Sequence, residues 1–194
     1  MIRPARRTVL RGSAAAGALV ALGAAPAAAS SAYAAGTGTA APCVRPIPWR
    51  RLGSYAAKDT AGRRFRSILS GTTRYLIGPW YAQTYTAYAA DGFLNLKGID
   101  ERAVRLPGMA ALSAATALAL GVYDDQTLSE GKARIRTRNL IRTLAARHKA
   151  SSGAAGWGSV WQSALWAYYT GAAAWLLWED LDGDDRARVA AMIE

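Results

Sequence analysis

The fold is decided by one tryptophan-rich stretch, Gly156-Trp157-Gly158-Ser159-Val160-Trp161-Gln162-Ser163-Ala164-Leu165-Trp166-Ala167-Tyr168-Tyr169, which continues through Trp175 and Trp178. It holds five of the seven tryptophans, and its apolar residues recur every three or four positions, which predicts a helix. One face would carry Trp157, Trp161, Leu165, Tyr168, Ala172 and Trp175, and a second face Trp166, Tyr169, Ala173 and Leu177. Because a helix that is apolar on most sides is buried on most sides, we expect it to form the centre of a helical core, with Trp166, Trp175 and Trp178 packed inside.

Capping and stop signals predict further helices on both sides of this stretch. We expect helices from Asp59 or Thr60 to about Leu69, from Gly108 to Leu120, from Glu130 to about Lys149, and from Arg186 onward. The first would turn Phe65, Ile68 and Leu69 inward and stop at Gly71. The second would have Pro107 in its first turn and Gly121 after its end, and would be rich enough in alanine for neighbours to approach closely. Ser129 would cap the third.

Residues 72–98 leave two structures open. Pro79 could start a short helix with Tyr81, Tyr85 and Tyr88 on one side. The threonine and tyrosine content would also suit an extended chain.

Residues 1–34 have the pattern of a cleaved secretory signal peptide. Arginines precede an Ala-rich apolar run, and small residues suited to cleavage end at Ala29 and at Ala34. The pair Arg6-Arg7, followed by Thr8-Val9-Leu10-Arg11, is typical of the twin-arginine export signal. The alternative is a disordered, Ala-rich tail. The glycines and the proline of the run argue against a retained span, so we expect a secreted, extracellular protein with no stable membrane anchor.

Removal of this signal leaves one domain with a basic balance. Four of the 24 Lys and Arg residues leave with it, so the formal net charge falls from +11 to 20 − 13 = +7. Roughly 160 residues remain, enough for a substantial core. Residues 35–56 predict a linker, and residues 57–194 a helical domain. Cys43 is the only cysteine, so an intramolecular disulfide cannot form.

The last predicted helix, from Arg186 to Glu194, keeps an apolar pattern and has no cap or polar tail. A helix with this pattern needs a partner to cover it. We therefore expect the domain to be truncated at Glu194, as part of a longer protein; a frayed natural terminus is the alternative.

Residues 107–121, 129–148 and 156–182 look like successive antiparallel helical hairpins. Together with the Gly156–Trp166 motif, they resemble the incomplete α/α-toroid of secreted polysaccharide lyases and related actinobacterial secreted proteins, in which Trp-rich segments line sugar clefts. The resemblance covers about residues 57–194. It implies an all-α, partial α/α-toroid fold and a lyase-like, carbohydrate-active enzyme acting on an acidic glycan. Such enzymes commonly use an Asn or His, a Tyr and an Arg, often with a second β domain.

Three residues of the glycine-rich turn are candidate sugar-binding residues. Trp157 and Trp161 lie one turn apart if the helix starts near Gly158, so both would point the same way, and their ring faces could stack on sugars. Gln162 could bind a sugar hydroxyl or carboxyl. The alternatives are core packing for the tryptophans and a hydrogen bond to a loop carbonyl for Gln162.

Lyase chemistry needs a base for the proton α to the uronate carboxyl, and a group that neutralises that carboxylate. His148 and Tyr168 (or Tyr169) are the candidate catalytic residues, and Arg142 is a candidate substrate-binding cation. His148 could instead be a cation favoured by the C-terminus of its helix.

Arg142 belongs to a row with Arg134 and Arg138 at a spacing of four residues. Such a row could attract an acidic polysaccharide. A solvated helix face is the alternative, and we favour it.

Several classes of site are disfavoured. With one histidine and one cysteine, a His/Cys metal site is nearly excluded, and the acidic turn 180–185 is expected to cap a helix rather than bind calcium. We predict neither metal nor cofactor. Export and the lack of a recognised motif argue against nucleic acid. Two functions stay open: a lyase-like enzyme acting on a polysaccharide or oligosaccharide, and a non-catalytic module that binds a glycan or a partner protein.

The export signal gives the first testable prediction. Changing Arg6 and Arg7 together to Lys should block secretion and leave unprocessed precursor inside the cell, because the paired arginines are what the twin-arginine route reads. Immunoblots of medium and cells measure this. Normal secretion of the double variant would show that the general route is used instead.

Overall fold

The computed structural model describes residues 47–55, 58–84, 91–96 and 100–194; the expected signal peptide and Cys43 lie outside them. The described residues form helices and no β-strand, and His148 and Trp157 form an isolated bridge. This confirms the all-α class. The helices are α1 (Trp49–Tyr55), α2 (Thr60–Tyr75), α3 (Tyr81–Thr84), α4 (Glu101–Leu120), α5 (Glu130–Arg147), α6 (Lys149–Ser152), α7 (Ser163–Leu176) and α8 (Gly183–Ile193), with a π-helical turn at Leu76–Trp80 and 3-10 turns at Gly153–Ala155 and Trp178–Asp180.

The central helix is α4, which packs against α1, α2, α5 and α7. By length and composition alone it could cross a membrane, but five of its alanines are wholly buried against these neighbours: Ala110, Ala111, Ala114, Ala115 and Ala117. A surface of alanines lets neighbouring helices come close. A Cβ added at Gly108 would lie 3.7 Å from Oγ1 of Thr170 in α7. The close approach expected for this helix is confirmed.

The start of α4 corrects the prediction. The helix begins at Glu101, seven residues before Gly108. Asp100 caps it by accepting hydrogen bonds from the N–H groups of Arg102 and Ala103, at 3.0 and 2.9 Å. Pro107 therefore lies inside the helix, where it cannot donate to the Ala103 carbonyl. The predicted end is confirmed, since Gly121 adopts φ 65° at the C-cap.

Two predicted caps are confirmed. The Ser129 hydroxyl accepts a hydrogen bond from the Lys132 N–H at 3.4 Å, and Asp182 accepts one from the Asp185 N–H at 2.8 Å. The acidic turn therefore caps α8. Helix α5 ends at Arg147, because His148 turns to extended backbone with ψ 148°.

Helix α2 is oriented opposite to the prediction. Thr73 and Ser70 face the body of the domain, where their hydroxyls donate to the carbonyls of Ser113 and Asp124. Phe65 and Ile68 are 73% and 65% exposed. The inward orientation expected for both is wrong, and Leu69 is only partly buried. The expected stop at Gly71 is also wrong, since the helix continues to Tyr75.

The segment after α2 stays helical as far as residue 84. The π-helical turn contains Pro79, and Gly78 leaves helical geometry at φ −92° and ψ −107°. The Arg136 guanidinium donates to the carbonyls of Ile77 at 2.6 Å and Gly78 at 3.2 Å. It thereby pairs carbonyls in a turn where Pro79 supplies no N–H. Tyr81 is buried in α3, while Tyr85 and Tyr88 lie outside the described residues.

Only one of the two apolar rows of α7 faces the core. Trp166, Ala173 and Leu177 are buried, which confirms the core position of Trp166. Tyr168 and Trp175, on the other row, are 63% and 58% exposed. The core position expected for Trp175 is wrong; its ring meets Trp49 edge-on at 5.1 Å. Trp178 is likewise exposed, beneath the Arg186 guanidinium.

The two rows of α7 should respond differently to truncation. Trp166→Ala should lower the free energy of unfolding by about 3–5 kcal/mol, since it empties a buried site. Trp175→Ala should cost about 1 kcal/mol or less, because the ring is mostly in solvent. Urea unfolding followed by circular dichroism measures both. Equal losses would contradict the assignment of buried and exposed rows.

Candidate functional site

Three of the predicted site residues, His148, Trp161 and Tyr168, line one groove. This groove has a volume of about 470 Å³ and lies between the loop before α7, helix α7 itself and the end of α8. We call it the aromatic groove. Its lining residues are His148, Gly158, Val160, Trp161, Ser163, Ala164, Ala167, Tyr168, Met192 and Ile193.

Two exposed rings dominate the aromatic groove. Trp161, in the turn before α7, is 83% exposed, and Tyr168 is the exposed α7 residue seven positions later. Gln162 already has right-handed helical backbone angles. Both side chains line the same groove, and seven residues would span roughly 10 Å along a helix axis. The predicted accessibility of at least one tryptophan is confirmed by Trp161.

Trp157 corrects the other half of that prediction. Its indole is only 1% exposed, its Nε1 donates to the Leu144 carbonyl at 2.9 Å, and its ring meets His148 edge-on at 4.6 Å. Helix α7 starts at Ser163 rather than near Gly158, so Trp157 and Trp161 do not share a helical face. Trp157 is therefore a core residue, and its exposure to a ligand, expected from the sequence, is wrong.

The loop between these tryptophans is held by Glu101, a residue not singled out from the sequence. Its Oε1 accepts from the N–H groups of Gly158 at 3.0 Å and Ser159 at 3.1 Å, and from the Ser163 hydroxyl at 2.9 Å. Desolvation raises the pKa of Glu101, but these hydrogen bonds outweigh it and lower the pKa to about 2. The sequence does contain a signal for Glu101, because Asp100-Glu101 is typical of a helix start. Pro107, the seventh residue of the helix, instead favours a start near Gly108.

His148 lies at the buried edge of the groove, where α5 ends, α6 begins and the loop with Trp157 passes. Its Nδ1 accepts a hydrogen bond from the Ala150 N–H at 3.3 Å, capping α6. With Nδ1 acting as an acceptor, the neutral ring carries its proton on Nε2, beside Gly158. Burial lowers the pKa of His148, and the charge of Lys149 adds to this. The neutral ring is therefore favoured over the helix-terminal cation, and its one lone pair is already in use.

Arg142 is not part of the groove lining. Its guanidinium lies 3.5 Å from the buried Asp185 carboxylate and stacks over the Phe93 ring. Burial raises the pKa of Asp185, and the charge of Arg142 opposes this. Arg134 pairs in the same manner with Glu130 at 2.9 Å and Asp180 at 2.8 Å. These two arginines link neighbouring elements, so the solvated face expected for them is wrong.

Gln162 lines a second groove, on the other side of Val160. This polar groove has a volume of about 450 Å³ and is lined by Asp100, Glu101, Arg102, Arg105, Val160, Gln162 and Trp166. The side chains of Arg102 and Arg105 are exposed and make no hydrogen bond or ion pair with another residue in the described ranges. With α4 predicted to start at Gly108, both arginines fall outside the helix, so the sequence does not place them together. Once Asp100 is known as the cap, their spacing of three residues places them on one side of the helix.

No protein-family model, curated protein or solved structure matches this chain. The resemblance to polysaccharide lyases therefore stays a prediction, and the two grooves are interpreted from their own geometry.

The interactions of Glu101 predict a pH-dependent contribution to stability. A carboxylate whose pKa is lowered from 4.5 to about 2 on folding stabilises the protein above pH 4.5, and this contribution is lost as the pH falls towards 2. Glu101→Gln should therefore unfold at lower urea concentration than wild type at pH 7. The difference should shrink steadily between pH 5 and pH 2. A difference that stays constant over this range would contradict the role of the ionised carboxylate.

Proposed function

We propose that this chain is a secreted glycan-binding module whose aromatic groove holds the sugar. The observation that carries the proposal is the pair of exposed rings, Trp161 and Tyr168, which line the same groove. Large rings gain free energy when a ligand covers them, and concave sites lined by aromatic groups with a few polar atoms are typical ligand sites. The face of a sugar ring offers C–H groups that match such a surface.

We also propose that the glycan is acidic, with its carboxylates reaching the polar groove. Val160 lines both grooves, so a ligand lying across Trp161 passes within reach of Arg102, Arg105 and Gln162. A guanidinium in fork geometry matches a carboxylate, and an amide can donate to its second oxygen. Glu101 also lies in this groove, but its carboxylate already accepts three hydrogen bonds from the loop before α7 and from Ser163. It therefore competes less with a ligand carboxylate for the two arginines.

Catalysis as a lyase is the less favoured alternative. It requires a base with a free lone pair near the proton to be removed. His148 uses its Nδ1 lone pair on Ala150, and Arg142 is paired with Asp185. Tyr168 alone of the three remains exposed in the groove. These contacts favour binding over proton abstraction by this set of residues.

The remaining sequence predictions belong to the same proposal. Export by the twin-arginine route would deliver the folded domain of residues 57–194 to the extracellular space, where polysaccharides are found. Consecutive helical hairpins arranged as part of an α/α-toroid would place the α7 loop at a cleft. The packing of α4 against both α5 and α7 is compatible with that arrangement.

Affinity electrophoresis tests the proposal with polygalacturonate and hyaluronan as acidic probes and a neutral galactan as the comparison. Trp161→Ala and Tyr168→Ala should each weaken binding to an acidic probe by roughly tenfold or more, the loss typical of a contact-centre aromatic. Trp175→Ala is the matched control, since it removes an exposed ring from the same helix outside the groove. Its binding should equal that of wild type.

A separate variant tests the preference for acidic glycans. Arg102→Gln combined with Arg105→Gln should reduce binding to the acidic probes and leave binding to the galactan unchanged. Equal losses from Trp161→Ala and Trp175→Ala, or retention of no probe at all, would overturn the proposed site. Release of unsaturated sugar ends from either acidic probe would overturn the non-catalytic assignment.

A further inference from the structure

A second surface, formed by α1 and α2, carries features that glycan binding does not use. Helix α2 binds the domain through its polar residues Ser70 and Thr73, so its large apolar residues are directed away from the core. Phe65 and Ile68 are the most exposed of these, and Leu52 of α1 is also exposed. Single exposed apolar residues are ordinary, but a contiguous group marks an interaction site.

These apolar residues border one concave surface. A groove with a volume of about 420 Å³ lies between α1, α2 and the end of α4. Its lining is almost wholly apolar: Leu52, Gly53, Phe65, Ile68, Leu69, Leu120 and Val122, with Arg66, Thr72 and Ser113 at the same site. Gly53 allows α1 to lie close to α4, because a Cβ at this position would overlap the Leu120 carbonyl and separate the two helices.

The charge around this surface is mainly positive, although Arg50 also pairs with Glu130 of α5 at 3.0 Å. The described residues between 47 and 75 include seven Lys or Arg residues and one acidic residue: Arg50, Arg51, Lys58, Arg63, Arg64, Arg66 and Arg74, against Asp59. Asp59 is also engaged, as the N-cap of α2, where it accepts from the Gly62 N–H at 2.7 Å. An occupant of this surface must therefore be apolar in one part and anionic in another.

We propose that the α1–α2 surface docks reversibly on an anionic lipid bilayer. A helix with Phe, Ile and Leu on one side and arginines beside them is the form that lies in the interface of a membrane. The basic residues are attracted to the anionic headgroups, and Phe65 and Ile68 enter the boundary between headgroups and acyl chains. This is a peripheral contact, distinct from an anchor, and α1 and α2 line neither of the glycan grooves.

The same charge argues against two other occupants. A second copy of this chain, packed by two-fold symmetry, would place the seven cations of one subunit against those of the other, which is repulsive. A neutral apolar partner would offer no negative charge to Arg64, Arg66 and Arg74. An acidic protein segment would satisfy the charge, and the experiment separates it from the bilayer.

Flotation of the full chain with lipid vesicles tests the proposal. Binding should be strong to vesicles of phosphatidylglycerol mixed with phosphatidylcholine, weak to phosphatidylcholine alone, and reduced by high salt, because screening weakens the headgroup attraction. Changing Phe65 and Ile68 together to Ser should lower partitioning by about tenfold or more. Arg64→Gln should lower it as well, by removing one of the cations.

A matched control uses two other exposed apolar residues on helices. Met109 and Ile135, changed together to Ser, remove similar side chains from α4 and α5 and should leave partitioning unchanged. All variants carry the same residues 1–46, so any contribution of the signal to lipid binding is common to them. Thermal melts confirm that each variant is folded.

Three results would overturn the proposal. The first is equal binding to anionic and neutral vesicles. The second is equal partitioning of the Phe65/Ile68 variant and the Met109/Ile135 control. The third is saturable binding of an acidic helical peptide together with no flotation on anionic vesicles, which would assign the surface to a protein partner.

Discussion

The Glu101 carboxylate ties the first turn of α4 to the loop before α7, and the candidate site depends on this tie. One oxygen receives two backbone N–H groups and one hydroxyl at about 3 Å. A second fastening comes from the indole of Trp157, which donates to the Leu144 carbonyl of α5. With the loop fixed at both points, Trp161 is directed outward at the entrance to α7. An aromatic platform held in place before a ligand arrives loses little conformational entropy on binding.

The choice of which α7 row is buried follows from size. The partner helix α4 presents alanines and Gly108, so α7 can approach only with residues that permit a short distance between helices. The buried side of α7 supplies Thr170, Ala173 and Ala174, all wholly buried, and the Thr170 hydroxyl is satisfied by the Trp166 carbonyl at 2.9 Å. The row with Tyr168 and Trp175 lies outside that contact. Both rows are apolar, so periodicity alone could not distinguish them.

This explains which features could be predicted from the sequence. The cap at Ser129, the capping role of the acidic turn 180–185 and Gly121 after the end of α4 are local hydrogen-bonding or backbone effects, and the sequence predicts them. The start of α4 was missed because proline is favoured in a first turn, whereas here it lies in the second. The face of α2 depends on partners 40 and 54 residues away in sequence, and the burial of Trp157 depends on a partner 13 residues away. The site residues divide in the same way. The sequence indicates Trp161 and Tyr168 as binding or catalytic residues, whereas Arg102, Arg105 and Glu101 become recognisable only once α4 is known to begin at Glu101.

The core contains small and paired polar residues, while several large apolar residues remain outside it. In the described part of the chain, four threonines are completely buried, namely Thr73, Thr137, Thr143 and Thr170, and each has a hydrogen-bond partner. Burial of a hydroxyl is tolerated only when it is paired in this way. Meanwhile Phe65, Ile68, Trp161 and Tyr168 remain in solvent, although burying each would contribute about 1.5–3 kcal/mol. A chain that packs alanine and paired threonine inside and leaves such residues mostly outside gains little from them in its own folding. Their stabilising contribution is therefore available to contacts with other molecules, at two separate surfaces of the same domain.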